Sequence, residues 1–179
     1  MRRAASHLDW LKIRLLYRNA FPRCERKPFR MIVKMQREGK GDVWYMELDG
    51  KFAGFASTIN SDSLILLDYL AVLQKLRGHG AGSSALQAMQ QEYAGKGLFV
   101  EIESSFEDAP DRIQRLRRRQ FYMKNGMQPM GVMASVFGVK MELLGANCHV
   151  DFPRYHAFYR DNYSPWAAEH ILEAKHPEN

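Results

Sequence analysis

Hydrophobic and polar residues follow different periods along the chain, and each period predicts a different kind of element. Residues 7–20 carry leucines and aromatic residues in a helical, amphipathic pattern after Ser6, and a shorter apolar segment, 29–35, follows Pro28. Serine is a preferred residue at the start of a helix. We therefore expect two helices at the beginning of the chain, the first of them starting at Ser6.

The pattern then changes to runs that are typical of strands. Residues 43–48 and 52–59 flank Asp49-Gly50, a dipeptide that strongly favours a hairpin turn. Residues 64–73 are nearly all apolar, which is typical of a strand covered on both faces. The pattern predicts three consecutive antiparallel strands, the last of them central in the sheet.

Helices and strands alternate in the next part of the chain. The predicted elements are a helix from about 80 to 94, a strand at 98–103, a helix at 111–124 that stops at Asn125-Gly126, and two strands at 130–139 and 140–144 around Gly138. The first of these helices joins two strands as a crossover connection, so we expect those strands to be parallel.

These elements predict one α/β (α+β) domain over residues 1–179, with a mixed, mostly antiparallel sheet flanked by helices. The chain has 179 residues and 46% apolar content, which is enough for one full core. Its tail, residues 145–179, is rich in aromatic side chains. A helix packed on the sheet is the plain interpretation of this tail, and a substrate lid or a homodimer surface is the alternative.

Composition narrows the location and the partners. The net charge of +6 suits an acidic partner: a nucleic acid, an anionic membrane or a polyanionic cofactor such as CoA. No apolar run approaches the ~20 residues of a membrane span, and the start of the chain lacks the apolar segment of a secretory signal. We therefore expect a cytoplasmic protein. Cys24 and Cys148 show no metal-ligand spacing and are expected to be free thiols, and no metal site is predicted.

A glycine-rich stretch at residues 77–84, Arg-Gly-His-Gly-Ala-Gly-Ser-Ser, lies between the central strand and the following helix. Glycine lets a phosphate approach the backbone, and the first N–H groups of a helix have no internal partner, so this turn is suited to an anion. A Walker A motif is excluded because no Gly-Lys-Ser/Thr follows, and the dinucleotide fingerprint is broken at Ser83. A turn that binds no ligand is the alternative.

The pattern that does fit is Arg-x-x-Gly-x-Gly, present as Arg77, Gly80 and Gly82. It resembles the acetyl-CoA pyrophosphate motif of the GNAT superfamily of N-acetyltransferases. Tyr122, four residues before Gly126, resembles the tyrosine with which many members close a later helix. The resemblance covers residues 43–144. It departs from the family in three respects. The usual first strand before the N-terminal helix has no clear equivalent, the segment after residue 103 is longer than usual, and the usual asparagine at the start of the helix that follows is not evident.

The resemblance implies a sheet of six to seven strands with a central splayed parallel pair, and direct transfer of an acetyl group from acetyl-CoA to an amine. Tyr122 is then the general acid that protonates the departing CoA thiolate. The acceptor would be a primary amine of a small molecule or peptide. The residues implied to bind the cofactor are Leu70, Ala71, Val72, Arg77, Gly78, His79, Gly80, Ala81, Gly82 and Ser83.

Two carboxylates are candidates for the general base that a neutral amine requires. Asp68 lies two residues before Leu70 and therefore on the same strand face, and a carboxylate in an apolar strand is costly unless it is paired. It is either functional or structurally hydrogen-bonded. Glu103 is the second candidate; with Glu101 it shares one strand face, and the two could instead bind a cationic substrate or pair with arginines.

An arginine-rich segment, residues 111–119, leaves other functions open. A solvated, partly salt-bridged helix is its default interpretation, contact with a CoA phosphate comes second, and nucleic-acid binding comes third because no aromatic stacking pattern accompanies it. The competing functions are a non-catalytic CoA-binding regulatory protein and, further off, a nucleic-acid-binding module. Neither a nucleic acid nor a membrane is the expected partner.

Overall fold

The computed structural model describes residues 1–175, which contain eight strands and six α-helices. The strands are β1 (Arg2–Arg3), β2 (Gly41–Leu48), β3 (Lys51–Asn60), β4 (Leu64–Val72), β5 (Gly97–Glu103), β6 (Gln128–Val136), β7 (Val139–Ala146) and β8 (Ile171–Ala174). The helices are α1 (His7–Ala20), α2 (Phe29–Arg37), α3 (Ala81–Glu92), α4 (Arg112–Lys124), α5 (Phe152–Asn162) and α6 (Pro165–Glu169). Short 3-10 turns lie at Arg23–Glu25 and Gln74–Leu76.

Within residues 1–175 the strands form a mixed sheet in the order β1-β2-β3-β4-β5-β7-β6-β8. β4 and β5 run parallel, and the other neighbours in the described sheet are antiparallel. The predicted fold class is thus confirmed. The described sheet has eight strands, whereas six to seven were predicted. The strands at its two ends, β1 and β8, were not predicted because they have too few residues to show an alternating pattern.

A strand before α1, which the sequence analysis did not predict, is present as β1. It pairs antiparallel with β2, with Arg2 opposite Tyr45 and Arg3 opposite Trp44. Each guanidinium lies over the ring of its partner, 4.3 and 4.7 Å from the two ring centroids. Both arginines are exposed, so cation–π contacts help to hold a strand that no hydrophobic pattern marks.

The described chain divides into two compact units. Residues 1–60 with 67–92 form the first, and residues 61–66 with 93–175 form the second. β4 contributes residues to both units, its first three to the second unit and the rest to the first. The expectation of a single domain stays a prediction.

In the first unit, Ser6 caps the start of α1, in agreement with the predicted helix start. The Ser6 hydroxyl accepts a hydrogen bond from the Asp9 N–H, and the Asp9 carboxylate accepts one from the Ser6 N–H, each 3.1 Å long. This capping box satisfies two groups that helix geometry leaves without partners. The apolar face of α1 packs into a buried cluster with strand residues that include Phe55 and Tyr69.

The face of α1 that packs into this cluster does not contain most of the helix's leucines. Ile13, Leu16 and Tyr17 are buried, whereas three leucines on the same helix are more than half exposed, namely Leu8, Leu11 and Leu15. The amphipathic helix is present, but its leucine count does not identify its buried side.

In the second unit, the aromatic tail contains the predicted helix. Phe158 of α5 meets Phe99 of β5 edge to face, with ring centroids 5.1 Å apart, and both side chains are buried. The tail then continues through α6 into β8, which pairs with β6. A role for the tail as a lid or as a dimer surface stays a prediction.

No helix within residues 1–175 combines the length and the apolar character needed to cross a membrane. Cys148 is a free thiol whose pKa is raised by burial, and the side chain of Cys24 lies outside the part of the chain that the structure describes.

Candidate active site

The glycine turn lies where the sequence predicted it, between the end of β4 and the start of α3. Gly78 and Gly80 have φ angles of +82° and +81°, a region that side chains rarely adopt. A Cβ added at either position would meet no atom within 4 Å. Glycine is therefore required by the backbone path, and the space beside it is open to a ligand.

The start of α3 presents backbone N–H groups without helical acceptors. The hydrogen bond from the Ser84 N–H to the Gly80 carbonyl, 2.9 Å, is the first of the helical type. Helix geometry leaves the N–H groups of Ala81, Gly82 and Ser83 outside this pattern, at the positive end of the helix dipole. These features fit a phosphate group.

Arg77 and His79 fold against the turn itself. The Arg77 Nε donates a 3.2 Å hydrogen bond to the carbonyl of Val72, the last residue of β4. The Nδ1 of His79 lies 3.0 Å from the Arg77 carbonyl. The turn is thus tied to the end of the strand from which the cofactor site is predicted to begin.

The end of β4 has two different faces. Tyr69 and Ala71 are buried in the core of the first unit, whereas Asp68, Leu70 and Val72 are partly exposed. The sequence prediction that Asp68 and Leu70 share a face is consistent with this alternation.

Asp68 forms an ion pair that the sequence did not indicate. Its Oδ1 lies 2.5 Å from the Nζ of Lys27, in the loop between α1 and α2, and the Asp68 side chain is only 9% exposed. The backbone N–H of Lys27 also donates to the Tyr69 hydroxyl, at 3.2 Å. Nothing in the spacing of Lys27 along the chain signals this contact, because the two residues are far apart in sequence.

In the second unit, Glu103 is bound by two arginines of α4. Arg115 lies 3.0 Å from one carboxylate oxygen and Arg118 lies 2.8 Å from the other. Arg115 also pairs with Asp111, the residue directly before α4. The salt-bridged helix is therefore the interpretation that the contacts of α4 favour.

Tyr122 is buried near the end of α4. Burial raises the pKa of its phenol to about 12, opposed in part by the positive charge of Arg118. Within residues 1–175 its hydroxyl donates no hydrogen bond, although its carbonyl accepts one from the Met127 N–H. The hydroxyl therefore stays protonated at neutral pH and has no partner among those residues to hold its proton.

Two tyrosines of the tail form hydrogen bonds in the second unit that the sequence analysis did not predict. The hydroxyls of Tyr155 and Tyr159 donate to the two carboxylate oxygens of Glu101, at 2.8 and 2.9 Å. Their spacing of four residues on one helix face was the available signal. A metal centre is not indicated in residues 1–175, where no group of three or more His, Cys, Asp and Glu side chains could hold an ion.

The structure places the predicted residues in two groups. Asp68, residues 70–72 and the turn at 77–83 belong to the first unit, whereas Glu103 and Tyr122 belong to the second. Each group has the local geometry described above.

Comparison with models of known protein families assigns the chain to a family. The model of the acetyltransferase (GNAT) family matches residues 10–126, well over half of the chain. The chain belongs to the GNAT acetyltransferase family. The matched region includes the glycine turn and Tyr122 and ends at Gly126, the residue after the helix stop. A comparison with curated protein sequences finds no significant match.

Solved structures of GNAT proteins share the fold. A GNAT-family protein from Bacteroides thetaiotaomicron is similar with a TM-score of 0.70 at 16% identity, covering 94% of this chain and 99% of its own. An aminoglycoside 6'-N-acetyltransferase complexed with coenzyme A gives 0.66 at 12% identity, covering 84% and 98%. A GNAT acetyltransferase from Elizabethkingia anophelis with acetyl-CoA bound gives 0.51 at 16% identity, covering 65% and 82%.

Proposed function

We propose that this GNAT chain is an N-acetyltransferase that moves the acetyl group of acetyl-CoA to a primary amine by direct attack in a ternary complex. The observation that carries the proposal is the turn before α3. Gly78 and Gly80 adopt conformations that need glycine, leave open space, and lead into the unpaired N–H groups of a helix. Such a turn suits a diphosphate.

The strand before this turn is the proposed site of the acyl group. The backbone from Leu70 to Val72 would bind the pantetheine arm, and an N–H group aimed at the thioester oxygen would stabilise negative charge that develops there. Bound acetyl-CoA supplies the thioester that the amine attacks. Arg77, His79 and the helix start from Ala81 to Ser83 would surround its phosphates.

Tyr122 is the proposed general acid. A proton donor must be protonated before the step and must have its proton available. The raised pKa of Tyr122, about 12, and a hydroxyl that donates to no residue among 1–175 support both requirements.

Asp68 remains the first candidate for the base and Glu103 the second, with a water chain as the other route. Each carboxylate is already engaged, Asp68 by Lys27 and Glu103 by two arginines. Lys27 beside Asp68 can lose its proton, whereas the two guanidinium groups on Glu103 stay charged, which favours Asp68. The acceptor class is an amine of a small molecule or a peptide.

Acetyl-CoA binding is the first test. Thermal unfolding is measured with and without acetyl-CoA, since a ligand that binds only the folded state raises its stability, by about 2.7 kcal/mol at a hundredfold excess over Kd. Gly80→Glu should abolish the shift by placing a charged side chain in the turn. Gly39→Glu is the matched control, because Gly39 also has positive φ and open space but lies after α2. Absence of a shift in the wild-type chain would refute the proposal.

A non-catalytic CoA-binding regulatory protein is the second candidate, favoured by the ion pairs that occupy both candidate bases. It predicts the same thermal shift but no acetylated product with any amine. Turnover on a panel of polyamines, aminoglycosides, amino acids and peptides decides between the two.

A further inference from the structure

We propose that Lys27 is itself an acetyl acceptor, modified at Nζ by acetyl-CoA bound to the same molecule. The inference rests on the proposed function. Its first observation is the 2.5 Å contact between Lys27 Nζ and Asp68 Oδ1. Asp68 lies two residues before Leu70, where the proposed thioester site begins, and alternate residues of a strand are about 7 Å apart.

The position of Lys27 is fixed by its own backbone. The Lys27 carbonyl accepts a 3.0 Å hydrogen bond from the Tyr17 hydroxyl, and its N–H donates to the Tyr69 hydroxyl. The Tyr69 hydroxyl in turn donates to the Glu25 carbonyl at 2.9 Å. Both tyrosines are buried, and burial raises the pKa of each phenol, so these contacts persist across ordinary pH. The lysine stem is therefore directed to β4 by an ordered segment.

The presence of lysine and not arginine beside Asp68 also favours a role as a nucleophile. An arginine would pair with Asp68 permanently, because a guanidinium does not lose its proton in proteins, whereas lysine can become a neutral nucleophile. The Lys27 side chain is 29% exposed and its partner 9%. The Asp68 carboxylate, in direct contact with the ammonium, is positioned to accept the proton that must leave before attack.

The step balances without a further reagent. The Lys27 ammonium gives one proton to the Asp68 carboxylate, and the neutral Nζ forms a bond to the thioester carbonyl carbon. The carbon–sulfur bond breaks, the CoA thiolate leaves and takes the second nitrogen-bound proton, and Asp68 releases its proton to water. The products are an acetylated lysine amide, CoA thiol and one free proton.

Site-resolved mass spectrometry tests the proposal. The purified chain is incubated with acetyl-CoA and the gain of one acetyl group is followed at each lysine. Lys34 is the comparison site, because its side chain is 70% exposed and chemical acetylation from solution would favour it. We expect Lys27 to react at least about tenfold faster than Lys34, since a held nucleophile has a high effective concentration. A rate at Lys27 equal to or below that at Lys34 overturns the proposal.

Variants separate the proposed step from solution chemistry. Gly80→Glu should lower the Lys27 rate to the Lys34 level, because no cofactor is held. Asp68→Asn should slow it about a hundredfold while the acetyl-CoA thermal shift persists, the size expected for a lost general base. An unchanged rate in either variant overturns the proposal. The rate constant should not depend on protein concentration; a proportional rise would show transfer between molecules and overturn it as well.

The outcomes distinguish this inference from the function on which it rests. If acetyl-CoA stabilises the chain and an amine substrate turns over while Lys27 stays unmodified, the inference alone fails. If acetyl-CoA neither binds nor reacts, both fail. Lys27→Arg keeps a cation beside Asp68 and should show no acetylation at that position with the thermal shift intact.

Discussion

Arg119 of α4 binds both carboxylate oxygens of Glu142 on β7: Nε donates to Oε2 at 2.8 Å and to Oε1 at 3.1 Å, and Nη2 donates to Oε1 at 3.1 Å. The Glu142 side chain is only 2% exposed. A buried carboxylate of this kind is tolerated because it is paired and hydrogen-bonded. The pair therefore fastens the arginine-rich helix to the sheet of the second unit.

Arg119→Met should destabilise the chain strongly. It leaves the Glu142 charge buried without its partner, a loss that typically costs about 3–5 kcal/mol. Arg117→Met is the control, because Arg117 is exposed on the same helix. Urea unfolding measures both variants. Equal stability of the two would contradict the fastening role, and a loss of RNA or DNA binding specific to Arg119→Met would revive the nucleic-acid hypothesis.

Tyr122→Phe should lower kcat by about a hundredfold or more while acetyl-CoA binding is retained, because it removes a proton donor and little else. The pKa of Tyr122, about 12, sets the pH dependence. The acid form is the active one, so Tyr122 itself should cause no fall in kcat until the pH approaches that value. The kcat profile of the wild-type chain and the thermal shift of the variant check the two statements. Turnover unchanged in Tyr122→Phe would remove it from the mechanism.

Many helices and strands of this fold could be predicted because hydrophobic residues repeat with one clear period along each long segment. The turn at Asp49-Gly50 lies where the sequence places it, and both residues have positive φ, as this kind of hairpin requires. The last hairpin was predicted around Gly138, with strands at 130–139 and 140–144, whereas β6 ends at Val136 and β7 begins at Val139. Its turn is Phe137-Gly138, where φ is positive for a phenylalanine, and aromatic residues give no signal for that conformation.

The site was only partly readable for a different reason. The glycine turn is encoded by consecutive residues, so its backbone demands appear in the sequence. The partners of Asp68 and Glu142 are separated from them by 41 and 23 positions, and such pairs depend on how strands and loops come together. Electrostatic partners across the fold leave no local pattern, which explains why the role of Asp68 stayed open between function and structure.

Gly54→Ala should both destabilise the first unit and weaken acetyl-CoA binding. A Cβ on Gly54 of β3 would collide with the carbonyl oxygen of Ala71, in the strand segment proposed to bind the pantetheine arm. Overpacking of this kind costs about 1–3 kcal/mol. Gly41→Ala is a matched control, because its Cβ would collide with the Thr58 carbonyl elsewhere in the same unit. Thermal shifts should show similar instability in both variants and weaker binding only in Gly54→Ala.

Asp9→Asn should reduce stability in a pH-dependent way. Hydrogen bonds from Arg2 foremost, and from the Ala5 and Ser6 N–H groups, hold the pKa of the Asp9 carboxyl well below its ordinary value against the opposing effect of burial. A depressed pKa in the folded state gives stability that is present above the pKa of the unfolded chain, about 4, and is lost as the pH falls towards the folded value.

The difference in unfolding free energy between wild type and Asp9→Asn should therefore be full at neutral pH and should shrink below about pH 4. Denaturant unfolding at several pH values measures it. Asp62→Asn, at an exposed position, is the control for replacing an aspartate by asparagine. A difference that stays constant down to strong acid would mean that shape, and not charge, explains the loss.

Tyr155→Phe should destabilise the second unit because it removes a hydrogen-bond donor to the Oε1 of Glu101. Tyr155 is fully buried, and the charge of Glu101 adds to burial in keeping the pKa of its phenol well above the ordinary value. A carboxylate left without such a donor costs about 1–3 kcal/mol. Tyr122→Phe is a matched control for stability, since that buried tyrosine donates no hydrogen bond within residues 1–175. Urea unfolding should therefore show a clear loss in Tyr155→Phe and a small one in Tyr122→Phe, and the reverse order would contradict the anchoring of α5 through Glu101.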